Sequence, residues 1–185
     1  MEQLRDERKY TYADYCTWDD GERWELIDGV AHMMAPPSTR HQEISGEIFG
    51  QLRDFLRGKP CKVFAAPFGV RLAADDEDGM VVEPDLVVIC NESKIDDKGC
   101  KGAPDLVVEI LSPSSAQRDK WVKFHAYRRA GVREYWIVDP DSKTVTAHLL
   151  EGDKYTTMAY GGDDKAPVVV LPGCEIDLGD AFAGL

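Results

Sequence analysis

The sequence predicts an α/β fold: a central mixed β-sheet flanked by helices, with additional strands at the N- and C-terminal ends. Three observations carry this expectation. Two segments, beginning at Ser38 or Thr39 and near Ser115, place apolar residues at helical spacing. Between and after them lie short Val-, Ile- and Leu-rich runs bounded by Pro, Gly and Asp. The order that results is helix, three strands, helix, strand, which suits a sheet with helices packed on it.

The elements follow in order. "TYADYCTWDDG" opens as a short helix ending near Gly21. "RWELIDGVAHMMA" is a hairpin, because Asp28-Gly29 is a two-residue turn signal between alternating segments. "PPS" breaks the chain, and "RHQEISGEIFGQLRDFLRG" then spaces Ile44, Ile48, Leu52, Phe55 and Leu56 along one helical stripe that Gly58 stops. Three strands are expected in "KVFAAPFGVRL", "VEPDLVVIC" and "APDLVVEIL". A helix over 115–130 follows, with Ser114 or Ser115 as its cap and Gly131 just past its end. "EYWIVDP" is a strand closed by Asp-Pro, "TVTAHLL" pairs with "KYTTMAY", and "APVVVLPGCEIDL" supplies one or two short strands. No linker divides the chain, so residues 1–185 are read as a single domain.

Composition narrows the function classes. Hydrophobic residues make up 43% of the chain and charged residues 30%, and no apolar run is long enough to span a bilayer. The charged start "MEQLRDERKY" has no signal-peptide core, so a cytoplasmic location without membrane contact is expected. The five cysteines, Cys16, Cys61, Cys90, Cys100 and Cys174, form no Cys-x-x-Cys pair and are read as reduced thiols. The net charge of −12 counts against a general nucleic-acid coat. Acids cluster at 75–78, 96–97 and 163–164, which read as solvated loops. Residues 117–134 hold six Lys or Arg against two acids, so a local basic face with Arg118, Lys120, Arg128 and Arg129 is expected to touch phosphates.

The acids inside the strands are the anomaly. "EPDLVVI" at 83–89 is followed by "APDLVVEI" at 103–110, so Pro-Asp-Leu-Val-Val occurs twice. Side chains alternate faces along a strand, which puts Asp85, Val87 and Ile89 on one face, and Asp105, Val107 and Glu109 on one face of the second copy. Antiparallel pairing brings Asp85 and Glu109 together at one sheet end. Two such carboxylates repel unless a cation or a shared proton relieves them, and hard oxygen donors suit Mg²⁺ or Mn²⁺. Asp105 is read as structural. Glu109 lies within "LVVEIL", where an unpaired carboxylate is costly, so a functional role is the better reading. On the helix, Ala116, Asp119, Lys123 and Tyr127 form one stripe. Lys123 either pairs with Asp119 four residues away or reaches over the end of the Glu109 strand. Taken singly, His41 reads as a surface or capping residue and Glu25 as an exposed hairpin acid. Glu43 and Glu47 read as a solvated helix face.

"WELIDG", "APPSTRHQEI", "EPDLVVI", "PDLVVEILSPSS", the Asp119-to-Lys123 spacing and "YRRAGVREYWIVDP" occur in that order. Together they resemble the Uma-two restriction-endonuclease family, a branch of the PD-(D/E)XK nuclease superfamily, from about Tyr10 to Phe182. The resemblance implies a restriction-endonuclease-like core. It makes Pro84-Asp85 the "PD" and Glu109 the "(D/E)", and with the main-chain carbonyl of Ile110 they become the ligands of Mg²⁺ or Mn²⁺. The superfamily places lysine two residues after that acid, where this chain has Leu111. The resemblance therefore assigns the role to Lys123 on the next helix, with Lys120 the weaker candidate. His41 and Glu25 match family positions near the site.

The expected function is that of a metal-dependent endonuclease hydrolysing phosphodiester bonds of nucleic acid, DNA first. The partners expected are that nucleic acid and, in a homodimer, a second copy of the chain. The rival reading is a non-catalytic nucleic-acid-binding or assembly module on the same fold, because a fold does not fix a function. A hydrolase of small phosphate esters fits the acidity but lacks a Gly-rich phosphate loop.

Overall fold

The computed structural model describes residues 8–73, 79–113 and 118–184, and for Arg118 and Asp119 the main chain alone. The acidic run at 75–78 and the expected caps Ser114 and Ser115 lie outside the described residues. A short helix α1 (Tyr12–Tyr15) is capped reciprocally by Thr11 and Asp14 and ends well before Gly21. The hairpin of β1 (Trp24–Ile27) and β2 (Val30–Met33) turns on Asp28 and Gly29, with φ of +49° and +77°. Two positive φ values in a two-residue turn match the twist of the strands, and Asp-Gly supplies them at little strain. A Cβ on Gly29 would also come within 2.8 Å of the Lys9 side chain, so both space and backbone call for glycine there.

Helix α2 (Thr39–Leu56) starts where Ser38 Oγ accepts the His41 N–H at 3.2 Å. It buries Ile44, Ile48, Leu52 and Leu56, each four residues on from the last. Gly58, at φ +76°, follows its end.

The expected strand "KVFAAPFGVRL" is two strands in two sheets. β3 (Lys62–Ala65) and β4 (Val70–Arg71) are separated by a cis Ala66–Pro67 peptide. "VEPDLVVIC" divides likewise into β5 (Val81–Val82) and β6 (Leu86–Ile89), with Pro84-Asp85 between them. Proline cannot donate to a ladder, which is why both breaks fall there. β7 (Ile95–Asp96), β8 (Gly99–Lys101) and β9 (Leu106–Ile110) follow.

The predicted helix over 115–130 is in its described part a π-helical turn, Arg118–Lys123, running into α3 (Phe124–Ala130). Gly131 closes it at φ +87°. Then come β10 (Glu134–Asp139), β11 (Thr144–Glu151), β12 (Lys154–Gly161), β13 (Lys165–Val168), β14 (Cys174–Asp177) and α4 (Leu178–Ala181).

The central sheet has the order β12-β11-β10-β9-β6-β3. It is mixed, because β9 and β10 run parallel while the other neighbours are antiparallel. A second six-stranded sheet, β2-β1-β5-β4-β8-β7, gathers the N-terminal hairpin and the ends of the two broken strands. β13 and β14 form a ribbon of their own.

Alternation along β6 and β9 divides the core in two. Leu86, Val88, Leu106, Val108 and Ile110 pack with α2 and the C-terminal ribbon on one face. Val87, Ile89 and Val107 pack with the second sheet and α3 on the other. Helices α2 and α3 thus flank the two faces, and on the α3 side the second sheet shares the packing because the chain bends out of the central sheet at each proline.

Among the cysteines, Cys61 and Cys90 are joined in a disulfide across the ends of β3 and β6, contrary to the reading of five reduced thiols. The Lys62–Ile89 register sets these two residues side by side, a proximity that sequence spacing does not reveal. Cys100 and Cys174 are buried thiols, and burial pushes both up to about 11. Asp96 is not a free loop acid, because it pairs with the buried Arg71. Among the described residues no helix is long and apolar enough to cross a membrane.

Candidate active site

β6 and β9 are antiparallel with Leu86 opposite Val108, so the next pair along the register is Asp85 and Glu109. Both lie on the face turned toward the second sheet. They line a cleft of about 200 Å³ together with Glu25, His41, Ile110 and Lys123.

Asp85 is held from two sides. Its Oδ2 accepts the Ile110 N–H at 2.7 Å and lies 3.1 Å from His41 Nε2. Oδ1 accepts no hydrogen bond among the described residues. The two backbone groups of an extended residue point to the same edge, so the Ile110 carbonyl, like its N–H, is turned toward Asp85. Consistently, the neighbouring Leu111 N–H donates to Val138 O on the opposite edge.

Glu109 is 4% exposed and well partnered, not the unpaired acid that the apolar strand suggested. Its Oε1 accepts Lys123 Nζ at 2.8 Å and the Tyr127 hydroxyl at 2.7 Å. Lys123 is 3% exposed and lies 2.7 Å from Glu25 Oε1. Glu25, at 1% exposure, is a buried member of the site, where its match to a family position implied it would be, and not the exposed hairpin acid that it reads as when taken singly; its Oε1 also accepts the Glu83 N–H at 3.1 Å. The hairpin register explains this, because the face of β1 that carries Glu25 turns toward the central sheet. Asp119, the alternative partner of Lys123, has its side chain outside the described residues.

Burial, and after it the Glu109 carboxylate, raises the Tyr127 phenol well above its ordinary value, so it stays a proton donor. Arg23 grips Glu83 Oε2 through Nε and Nη2 at 2.9 and 2.8 Å at the cleft wall. Tyr127, Glu83 and Arg23 escaped sequence reasoning. Tyr127 had a signal, because it shares the Lys123 stripe one helical turn on; Glu83 and Arg23 had none.

The expected basic face is dispersed. Lys120 is exposed beside the cleft, with Nζ 3.9 Å from Asp139 Oδ2. Arg128 and Arg129 line another hollow that shares no residue with the cleft, and Arg129 lies 3.3 Å from Asp28. The side chain of Arg118 lies outside the described residues. Asp105 is structural: its Oδ2 accepts the Cys90 N–H and its Oδ1 pairs with Arg133. Glu43 and Glu47 are exposed on α2.

Among the described residues no three His, Cys, Asp or Glu side chains converge as a ready-made cation cluster. The donor set is two carboxylates and a main-chain carbonyl. Mg²⁺ commonly takes one or two carboxylates and fills its remaining positions with water and phosphate oxygens. The donor set, and an Asp85 oxygen that accepts no hydrogen bond, fit such an ion.

A family model for Uma2, described as "Putative restriction endonuclease", matches residues 11–179. Two curated Synechocystis proteins are similar over most of the chain. "Uncharacterized protein slr1290" is 24% identical over 161 residues, covering 85% of this chain and 83% of that protein. "Uncharacterized protein sll1609" is 27% identical over 149 residues, covering 78% and 82%. Among solved structures, "a putative nuclease belonging to DUF820" from Anabaena variabilis superposes with a TM-score of 0.75 at 20% identity, covering 94% of this chain and 97% of that one. At that identity the likeness establishes a shared nuclease-like fold.

Proposed function

The chain belongs to the Uma2 family, and from that premise we propose that it is a metal-dependent endonuclease that hydrolyses phosphodiester bonds, with DNA as the substrate and Mg²⁺ or Mn²⁺ as the cofactor. One observation carries this reading: Asp85 and Glu109 face each other across β6 and β9 on the floor of a cleft, with a buried lysine on one of them.

Asp85, Glu109 and the Ile110 carbonyl would hold the ion. When bound, it supplies charge neutralisation at the phosphate and a water more acidic than bulk water. His41 orients the Asp85 carboxylate through Oδ2. Lys123 brings a fixed positive charge to the cleft, where it orients the attacking water and offsets charge developing on the phosphoryl oxygens. Glu25 holds Lys123 together with Glu109 and so helps to set where that charge sits. Lys120 and Arg40 stand at the adjoining hollow that shares His41 with the cleft, where they can meet the flanking backbone.

The test is cleavage of plasmid and single-stranded oligonucleotide with and without Mn²⁺, comparing the wild type with Glu109→Gln. The expected result is Mn²⁺-dependent cutting that the variant loses by about two or more orders of magnitude while keeping its circular dichroism spectrum. Equal cutting by the two proteins removes Glu109 from the reaction.

A second reading is favoured by the charge distribution. The chain carries −12 overall, and Arg23, Arg40 and Lys120 each lie within 4 Å of an acid. A non-catalytic binding or assembly module fits that surface. It has no use for Mn²⁺ at Asp85 and Glu109, so titration calorimetry with Mn²⁺ separates the two readings.

A further inference from the structure

We propose that Tyr127 is a positioning residue for Glu109: its hydroxyl and Lys123 together fix the plane of the carboxylate that receives the cation. The proposal rests on the metal-dependent reading above.

Tyr127 is fully buried, and its hydroxyl lies 2.7 Å from Glu109 Oε1. Lys123 lies 2.8 Å from the same oxygen. The two donors are four residues apart, so one face of the helix delivers both of them to one atom. A carboxylate at a strand end can rotate about its last side-chain bond, and a single donor leaves that rotation loose. Two donors converging on one oxygen remove it. Lys123 alone is a poor clamp here, because its ammonium is shared with Glu25 Oε1, at 2.7 Å. Among the described residues the phenol has no such second demand, and it is set by packing, since its ring lies edge-on to Tyr135 at 4.8 Å. The hydroxyl therefore fixes the carboxylate, while Lys123 is shared between two acids.

Partners in this position orient the ligand for the metal, and their loss weakens metal affinity more than it weakens the fold. The experiment measures Mn²⁺ affinity by titration calorimetry, together with urea unfolding without metal. It uses wild type, Tyr127→Phe, and Tyr155→Phe as a control that removes another hydroxyl bond from the same core, the one to Val132 O. Tyr127→Phe keeps the ring and its packing. The expected result is a loss of roughly 10–100-fold in Mn²⁺ affinity for Tyr127→Phe and none for Tyr155→Phe. Cleavage by Tyr127→Phe should recover as Mn²⁺ is raised. Unchanged affinity in Tyr127→Phe overturns the proposal alone. Global unfolding of Tyr127→Phe also overturns it, because the hydroxyl is then structural. A wild type that binds no Mn²⁺ overturns the metal-dependent reading, and this proposal falls with it.

Discussion

Replacing Lys123 by methionine tests the buried charge arrangement most directly. Met keeps most of the stem's bulk and its helix propensity and removes only the ammonium. Had Lys123 been one half of an exposed pair with Asp119, the loss would be a few tenths of a kcal/mol, about 0.2–0.5. Instead Lys123 is 3% exposed between Glu25 at 1% and Glu109 at 4%, with both oxygens within 2.8 Å. Removing the cation leaves two buried carboxylates with their principal counter-charge gone, and breaking a buried pair in this way costs about 3–5 kcal/mol. For a domain of this size each kcal/mol moves the Tm by about 2–4 °C, so a fall of roughly 6–20 °C is expected. The assay is urea and thermal unfolding of metal-free protein. Lys120→Met, on the same helix but exposed, should stay within about 0.5 kcal/mol of wild type. Neutralising both acids in Lys123→Met/Glu25→Gln/Glu109→Gln should recover about 2 kcal/mol or more, because the unpaired charges are then gone. A Lys123→Met protein within about 1 kcal/mol of wild type refutes the reasoning, as does a triple variant no more stable than the single one.

Three further outcomes follow from other parts of the molecule. Burial holds the His148 imidazole below its ordinary value, so it stays neutral in the fold while the unfolded chain protonates near pH 6.5; its contribution is present above that pH and is lost as pH falls below it, and His148→Phe should flatten the decline in urea midpoint between pH 7 and pH 5. Leu52→Ala empties a fully buried site between α2 and the central sheet and should cost about 2–5 kcal/mol in urea unfolding, with a smaller effect refuting tight packing there. Because Arg128 and Arg129 line a hollow apart from the cleft, reversing both charges should leave the salt dependence of oligonucleotide binding nearly unchanged, whereas Lys120→Glu should reduce its slope by about one; the opposite result would move the nucleic-acid path to the far end of α3.

The sequence made some features legible and hid others for identifiable reasons. Helix α2 and the β1–β2 hairpin were readable because their signals are local: a four-residue apolar step in one, Asp-Gly in the other. The meeting of Asp85 and Glu109 was also readable, since two copies of one strand motif have few ways to pair. Burial of Glu25 was not, because a four-residue strand with one acid looks the same facing water or facing a lysine. The second sheet was hidden by continuity: "KVFAAPFGVRL" gives no apolar break where the chain leaves one sheet for another. Tyr127 was placed correctly on the Lys123 stripe, but spacing alone cannot tell a packed ring from a donor aimed at a carboxylate. The basic stretch at 117–134 was legible as a run of charges but not as a surface, because the helix sets Arg128 and Arg129 at a different hollow from Lys120.

The two proline breaks have a mechanical consequence. β3 and β6 belong to the central sheet, and their continuations β4 and β5 belong to the other, so Asp85 stands at a fold in the fabric. Glu25 is carried by the outer sheet, Glu109 by the central one, and Lys123 by the helix between them. The lysine is in effect a rivet through the seam. A separation of the sheets by an ångström or two draws Glu25 off Lys123 without breaking a rung of either ladder. Cohesion of the two layers and the geometry of the cleft therefore share the same atoms, and a parting of the seam would disarrange the cleft before the molecule unravels.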